Sequence, residues 1–272
     1  VKGSDGQHHF FARRYFEIAH RRLASGKTGE QPLKSESLRS WQLSDFDFEL
    51  PEDRIAQQPT QRRSDSRLLV AADPVKDQQF TDLLDLLHPG DVLVFNNSKV
   101  IPARLYGTKP TGGKVEILIE RILENRQAVA LLRSSKKTTD NTPLTVEGSS
   151  GSVAIVLSRY GETQDRFLLQ FDRPVLEVLE VDGEIPLPPY IAHRPNALDV
   201  QRYQTVYAQN PGSVAAPTAG LHFDEPFLQA LVNKGIQRAS VTLHVGTGTF
   251  APVRVNQIDQ HQMHSEWCEI SA

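Results

Sequence analysis

The stretch Val115-Glu-Ile-Leu-Ile-Glu120 places Val115, Ile117 and Ile119 at every second position, which is the period of a β-strand with one buried face. Gly, Asn, Asp or Pro separates it from further short apolar runs, which are Ala128–Leu132, Val153–Leu157, Phe167–Phe171 and Val175–Val181. Several short strands at such spacing predict a small all-β barrel or sandwich over residues 107–183. The last run stays open between strand and helical turn, because its period is closer to three.

The regions on both sides of this segment mix helix and strand signals. Asp91–Phe95 and Ser240–Val245 are predicted strands, and Leu50-Pro51 is a predicted helix start. A helix capped by Asp199 is predicted at Asp199–Ala208. Another is predicted at Glu225–Asn233, with Pro226 in its first turn and Gly235 as its stop. The simplest fold is α/β (α+β). A large mixed α/β domain, built from residues 42–106 and 184–272, carries the β-barrel of residues 107–183 as an insertion.

Charge and composition exclude several classes of protein. The 272 residues include one cysteine, Cys268, so no internal disulfide can form. No apolar run reaches the length of a membrane span, and the net charge of −3 is not that of a bulk nucleic-acid binder. Residues 1–41 carry eight basic and four acidic side chains, so a leader of net charge +4 precedes a body of −7. We expect this leader to be extraneous or disordered.

Three segments carry residues suited to chemistry. Phe95–Arg104 places Lys99 and Arg104 directly after a predicted strand, where ligands bind in open α/β sheets, although a polar turn explains it equally. Gly212–Phe223 is rich in small residues that let backbone approach a ligand, yet close packing explains this about as well. Thr242–Phe250 runs from a strand into a Gly-Thr-Gly turn with exposed backbone N–H groups.

A fourth segment, His261-Gln-Met-His-Ser-Glu266, holds residue types that bind metals. No HExxH pattern or comparable ligand set completes it, so we predict that no metal is bound. A metal hydrolase that uses His261, His264 and Glu266 is the weaker alternative.

Taken together, these segments resemble the S-adenosylmethionine:tRNA ribosyltransferase-isomerase family of queuosine biosynthesis. The resemblance covers Gln42–Ala272, that is 231 of 272 residues. The matching stretches occur in order and are Asp45–Pro51 with Ile55–Gln57, Arg63–Leu68, Gly90–Asn96 with Lys99–Leu105, Gly113–Glu116, Pro188–Ile191, Arg202–Tyr207, Ser213–Phe223, Leu243–Phe250 and His261–Glu266.

The resemblance implies a fold and an activity. Enzymes of this family have an α/β domain with an inserted small β-barrel. They transfer and isomerise the ribosyl moiety of S-adenosylmethionine onto 7-aminomethyl-7-deazaguanine at the wobble position of tRNA, which gives epoxyqueuosine and releases adenine and methionine. S-adenosylmethionine is thus the co-substrate, tRNA is the partner, and no metal is implied. We expect a cytoplasmic protein with no membrane association, and a monomer by default.

The same resemblance implies site residues. The chemistry needs a general base at the carbon beside the sulfonium and a general acid for the leaving adenine. His222 and His244 titrate in the useful range, and His264 and Glu266 are further candidates, although a buried hydrogen-bonding role fits each histidine as well. The candidate substrate-binding residues are Asn96, Lys99, Arg104, Arg202, Tyr203, Thr218, Gly220, Gly246, Thr247, Gly248 and Thr249. Candidate tRNA contacts are Arg62, Arg63, Arg67, Lys114, Arg194, Arg202 and, with a solvated loop as the alternative, Lys136-Lys137.

The sequence departs from the family pattern at both ends. Residues 1–41 have no counterpart, and Trp41 stands where a start Met would be expected. Family members continue beyond the position of Ala272 with further motifs, so we expect a C-terminally truncated chain with an incomplete α/β domain. The competing hypothesis is therefore an inactive fragment, or a non-catalytic RNA- or nucleotide-binding protein of the same fold.

Overall fold

The computed structural model describes residues 40–161 and 164–270. All but the last two residues of the predicted leader lie outside this range. The strands are β1 (Arg67–Val70), β2 (Lys76–Gln79), β3 (Val92–Asn96), β4 (Ser98–Val100), β5 (Arg104–Thr108), β6 (Lys114–Glu124), β7 (Gln127–Ser134), β8 (Pro143–Val146), β9 (Val153–Tyr160), β10 (Arg166–Phe171), β11 (Asn210–Ser213), β12 (Gln237–His244) and β13 (Trp267–Glu269). The α-helices are α1 (Leu83–Leu86), α2 (Val175–Asp182), α3 (Ala197–Arg202) and α4 (Glu225–Asn233). Within this range no helix combines the length and the apolar character needed to cross a bilayer.

Strands β5 to β10 form a closed antiparallel barrel in the order β10-β7-β6-β5-β8-β9. Every second residue of β6 points inward, so Val115, Ile117 and Ile119 are buried as the alternation predicts. The run Val175–Val181, left open between strand and helix, lies in α2, which packs Val178 and Leu179 against the barrel core. The predicted β-barrel is confirmed. The short strands β5 and β8 carried no apolar run of their own and were missed.

The two chain segments that connect the barrel to the rest of the fold are bonded to each other. The backbone N–H of Arg104 donates to the carbonyl of Glu184 at 3.1 Å, and the N–H of Glu184 donates back to Arg104 at 2.8 Å. Strand β5 therefore begins at Arg104, three residues before the predicted boundary at residue 107. This bridge fixes the base of the barrel next to the α/β part.

Within the described residues the α/β part contains three small sheets, one of which is the antiparallel pair β1-β2. Strand β12 lies between β3, to which it is parallel, and β13, to which it is antiparallel, while β4 pairs with β11 in parallel. An aromatic cluster that includes Phe80, Phe95 and Phe223 packs α4 against this region. Helix α4 has the predicted bounds, because the Asp224 carboxylate caps it by accepting from the N–H of Phe227 at 3.0 Å.

Two predicted helices were wrong in their extent. The helix expected at Leu50-Pro51 is only a 3-10 turn, Glu52–Arg54. The helix expected at Asp199–Ala208 begins at Ala197 and ends at Arg202. Its N-cap is Asn196, whose side chain accepts from two backbone N–H groups, whereas the Asp199 carboxylate closes a capping box from the third helical position.

Candidate active site

A cavity of about 700 Å³ lies between the barrel and the end of β12. The barrel and its connections supply one wall, and the segments around β12 and β13 supply the other. The lining residues include Ile101, Glu120, Arg121, Ile122, Tyr160, Gly161, Arg166, Pro211, Gly212, His244, Gly246, Thr247, Gly248, Met263, His264, Ser265, Glu266 and Trp267. Three of the four candidate catalytic residues, His244, His264 and Glu266, therefore share one cavity with the Gly-Thr-Gly turn.

His244 is the last residue of β12, and its position is tightly determined. Its ring stacks on the indole of Trp267, its cross-strand neighbour, with centroids 5.1 Å apart and planes 15° apart. On another side, a Cβ atom placed on Gly212 would lie 2.7 Å from Cε1 of His244. Among the described residues its Nδ1 is buried without a hydrogen-bond partner. Burial lowers the pKa of His244, with Glu269 acting in the opposite direction, so the ring is neutral at pH 7 and able to accept a proton.

The Gly-Thr-Gly turn binds the segment that carries the second histidine. The N–H of Gly246 donates to Oε1 of Glu266 at 3.0 Å. A Cβ atom on Gly248 would lie 2.6 Å from Cδ2 of His264, so the close approach of this ring requires glycine. The buried Thr247 donates through Oγ1 to Oε2 of Glu120 on the barrel at 2.6 Å, while Thr249 is exposed. The turn therefore touches both walls of the cavity.

His222 lies in a second cavity of about 360 Å³, which contains none of the other three candidate catalytic residues. Its Nδ1 is 2.9 Å from Oγ of Ser66, its ring packs on Phe80 at 5.3 Å between centroids, and burial lowers its pKa. Arg202, Tyr203 and Thr218 line this second cavity as well. His222 ends the 3-10 turn Thr218–His222 after β11, whereas His244 ends β12. The motifs of these two histidines therefore line different cavities. A catalytic role for His222 stays a prediction.

Tyr203 and Gly220, two of the candidate substrate-binding residues, are both buried. Burial raises the pKa of Tyr203 to about 12, so its phenol stays protonated. A Cβ atom on Gly220 would lie 2.2 Å from the hydroxyl of Tyr207, which leaves room for hydrogen alone.

Asn96, Lys99 and Arg104 do not line the cavity of His244. The Asn96 amide donates to the carbonyl of Leu243 at 2.8 Å and accepts from the N–H of Leu243 at 3.1 Å, so it holds β12 one residue before His244. Lys99 is exposed on β4. The Arg104 guanidinium lies 3.1 Å from the Glu116 carboxylate.

Two arginines predicted to contact tRNA are hydrogen-bonded to the backbone instead. Arg63 donates to the carbonyls of Gln201, Arg202 and Leu221 at 2.9 to 3.2 Å. Arg202 donates to the carbonyls of residues 60 and 61 at 2.8 and 3.2 Å. Burial and the positive charge of Arg202 lower the pKa of Arg63. These two side chains therefore tie the chain ahead of β1 to the end of α3.

The other candidate tRNA contacts are exposed. Arg62 pairs with Asp65 at 3.2 Å and lines, with Arg63 and Arg202, a third hollow of about 920 Å³. Arg67 forms an ion pair with Asp77. The remaining residues are Lys114, Lys136, Lys137 and Arg194, the last with its guanidinium 5.6 Å from the centroid of the Tyr106 ring.

The cavity of His244 contains charged residues that the sequence pattern did not single out, namely Glu120, Arg121 and Arg166. One signal was present, because Arg121 stands where the alternation begun at Val115 would place an apolar residue. Arg166 carried no comparable signal. In the described residues, no three His, Cys, Asp or Glu side chains are grouped so that they could hold a metal ion.

The chain is similar to known proteins over most of its length. Residues 43–272 match the family model described as queuosine biosynthesis protein. The chain is 51% identical over 232 residues to the S-adenosylmethionine:tRNA ribosyltransferase-isomerase of Herminiimonas arsenicoxydans, an alignment that covers 85% of this chain and 67% of that protein. It is similar, at 31% identity and a TM-score of 0.29, to the crystal structure of S-adenosylmethionine tRNA ribosyltransferase from Thermotoga maritima. That match covers 74% of this chain and 58% of the solved one, so the chain spans less than two thirds of that relative.

Proposed function

The chain belongs to the queuosine biosynthesis protein family, and on this premise we propose that it transfers and isomerises the ribosyl moiety of S-adenosylmethionine onto 7-aminomethyl-7-deazaguanine in tRNA. The product is epoxyqueuosine, and adenine and methionine leave. One observation carries the proposal. His244, His264 and Glu266 line a single cavity together with a Gly-Thr-Gly turn, as the proposed chemistry requires.

The size and walls of this cavity suit the donor. A volume of about 700 Å³ lies within the range of small-molecule sites, which runs from roughly 300 to 1,000 Å³. Gly246 and Gly248 have no side chains, and although the His264 ring covers Gly248, the backbone at Gly246 lines the cavity where an adenosine can approach it. The Glu266 carboxylate, held by the N–H of Gly246, offers the negative charge that a sulfonium favours.

The state of His244 suits a general base. The sulfonium acidifies the adjacent carbon, and a neutral imidazole in the same cavity can accept the proton that leaves. Burial lowers the pKa of His244, which keeps the ring neutral at pH 7. His264 on the facing segment is then the candidate acid that protonates a ring nitrogen of the departing adenine.

The acceptor must reach the same cavity from outside. We propose that exposed cations on the α/β part, with Arg62 and Arg194 as the first candidates, contact tRNA phosphates. The proposal does not assign this role to Arg63 and Arg202, because their guanidinium groups already donate hydrogen bonds to backbone carbonyls. We further propose a cytoplasmic location and a monomer, which fit a tRNA substrate.

Adenine release tests the proposal. The protein is incubated with S-adenosylmethionine and tRNA that carries 7-aminomethyl-7-deazaguanine, and free adenine is measured by chromatography. We expect release that depends on the modified tRNA, a loss of at least about 100-fold in His244→Ala, and no change in His88→Ala, whose side chain is 83% exposed and does not line the cavity. Binding of S-adenosylmethionine without any adenine release would instead support a non-catalytic protein of this fold.

A further inference from the structure

A β-bulge in β6 turns two consecutive charged residues toward the cavity of His244. Ile119 pairs with Ala130 and Arg121 pairs with Val129, so Glu120 is the extra residue of the bulge. On a regular strand, neighbouring side chains point to opposite faces, yet Glu120 and Arg121 both line the cavity. Bulges re-aim side chains in this way and are frequent beside active sites.

Glu120 forms an ion pair with Arg166 of β10 that is largely sheltered from solvent. The Nε of Arg166 donates to Oε2 of Glu120 at 2.7 Å, and their side chains are 14% and 23% exposed, respectively. Oε2 also accepts from Thr247, while Nη1 of Arg166 donates to the carboxylate of Asp165. Within the described residues, Oε1 of Glu120 and Nη2 of Arg166 have no further hydrogen bond, so one acceptor and one donor remain available.

Arg166 keeps its positive charge in this pair. Burial lowers the pKa of Arg166, but hydrogen bonds and charges from Glu120 and Asp165 outweigh this effect and leave its pKa raised. A partly buried ion pair with an open acceptor and an open donor is costly unless a ligand or water completes it. A ligand that completes both needs a donor for Glu120 and an acceptor for Arg166, and the charges of the pair favour a cation and an anion close together, as in the ammonium and carboxylate of an α-amino acid.

We infer that Glu120 and Arg166 bind the amino acid end of S-adenosylmethionine, with Arg166 holding the carboxylate and Glu120 holding the ammonium. The inference rests on the proposed function and names the subsite for one end of its donor. Lys99 and Arg104, the cations after the predicted strand that were candidate substrate-binding residues, do not line this cavity. The inference also places the adenosine toward the Gly-Thr-Gly turn, whose Thr247 is in direct contact with Glu120.

Binding of truncated ligands tests the inference. Dissociation constants are measured by calorimetry for S-adenosylmethionine and for decarboxylated S-adenosylmethionine, which keeps the sulfonium and the ammonium. We expect Arg166→Gln to weaken S-adenosylmethionine by about 10- to 100-fold, the effect of one charge-assisted contact. The decarboxylated ligand should bind Arg166→Gln and the unmodified protein within about threefold of each other.

A deaminated analogue gives the reciprocal test for Glu120. Glu120→Gln should weaken S-adenosylmethionine and its decarboxylated form alike, but should leave the binding of the deaminated analogue unchanged. Glu124→Gln and Arg133→Gln, exposed positions on β6 and β7, are the matched controls and should change no affinity. Thermal melting of each variant shows that it is folded.

The outcomes separate this inference from the proposed function. If Arg166→Gln weakens every ligand by the same factor, the pair supports the cavity wall and does not recognise the amino acid, so the inference falls while the proposed function stands. If the unmodified protein binds no S-adenosylmethionine, alone or with the modified tRNA, the proposed function falls and the inference falls with it.

Discussion

Replacing Gly212 with alanine should displace His244 and destabilise the protein through two separate effects. The backbone of Gly212 has φ of +147°, a conformation that costs a residue with a Cβ about 1–3 kcal/mol. The new methyl carbon would also lie 2.7 Å from Cε1 and 2.8 Å from Nδ1 of His244. Because Trp267 stacks on the ring, the imidazole cannot move aside without breaking that contact.

The size of the effect follows from these two terms. Overpacking of a confined group costs about 1–3 kcal/mol, so the variant should lose about 2–6 kcal/mol in total. Gly151→Ala is a control for positive φ without overpacking, since Gly151 has φ of +61° and a methyl group there would meet no atom within 4 Å. That control should lose only about 1–2 kcal/mol.

Urea unfolding followed by tryptophan fluorescence measures both variants, with Trp267 reporting on the stack directly. Adding His244→Ala to Gly212→Ala should recover the overpacking part of the loss, because the methyl group would then have space. Equal losses in Gly212→Ala and Gly151→Ala, or no recovery in the double variant, would refute the close packing of Gly212 against His244.

Three further predictions follow from other parts of the site. Because burial lowers the pKa of His244, kcat/KM for adenine release should fall on the acid side with a midpoint below about pH 6.5. The stability that His244 contributes should be lost as the pH falls below the pKa of histidine in the unfolded chain, about 6.5. A kinetic midpoint above that value would contradict a buried base. Arg63→Met should lower the free energy of unfolding in urea by about 2–3 kcal/mol, since it removes three hydrogen bonds to backbone carbonyls. Arg62→Met should leave stability nearly unchanged but reduce the salt dependence of tRNA affinity. The reverse pattern would make Arg63 the tRNA contact. Asn96→Leu should lower stability by about 1–3 kcal/mol and broaden the His244 imidazole resonance, while an unchanged resonance would show that β12 needs no such support.

Local pattern was sufficient to predict the main elements of the fold. The alternation at Val115–Glu120 and the short runs after it predicted the barrel, because side-chain burial in a barrel repeats every two residues. Helix α4 was predicted to the residue, since Asp224 and Pro226 determine its start through contacts within one turn. Strands β5 and β8 were missed because their pairing is set by distant partners and not by their own residues.

The site could be predicted only in part, for a related reason. His244, His264 and Glu266 were selected from motifs, and their meeting depends on the pairing of β12 with β13. His222 ends the 3-10 turn that follows β11, whereas His244 ends β12. No local sequence pattern shows that these two segments line different cavities. Glu120 and Arg166 come from strands that are not neighbours in the sequence, and the bulge that turns Glu120 toward the cavity is a property of the register between β6 and β7.

The barrel therefore forms part of the candidate site and is bonded to the α/β part. Its base is bonded through Arg104 and Glu184, and Glu120 accepts a hydrogen bond from Thr247 across the cavity, so two separate contacts fix the distance between the walls. Under the proposed function, the donor must lose adenine from one end and methionine from the other. A site that holds the amino acid end on the barrel and the adenosine end on the Gly-Thr-Gly turn would keep both leaving groups in place while the ribosyl carbons between them react. The hydroxyl of Thr247 joins these two subsites, and Thr247→Val should therefore lower kcat more than it raises KM, because both subsites remain but their spacing is no longer fixed.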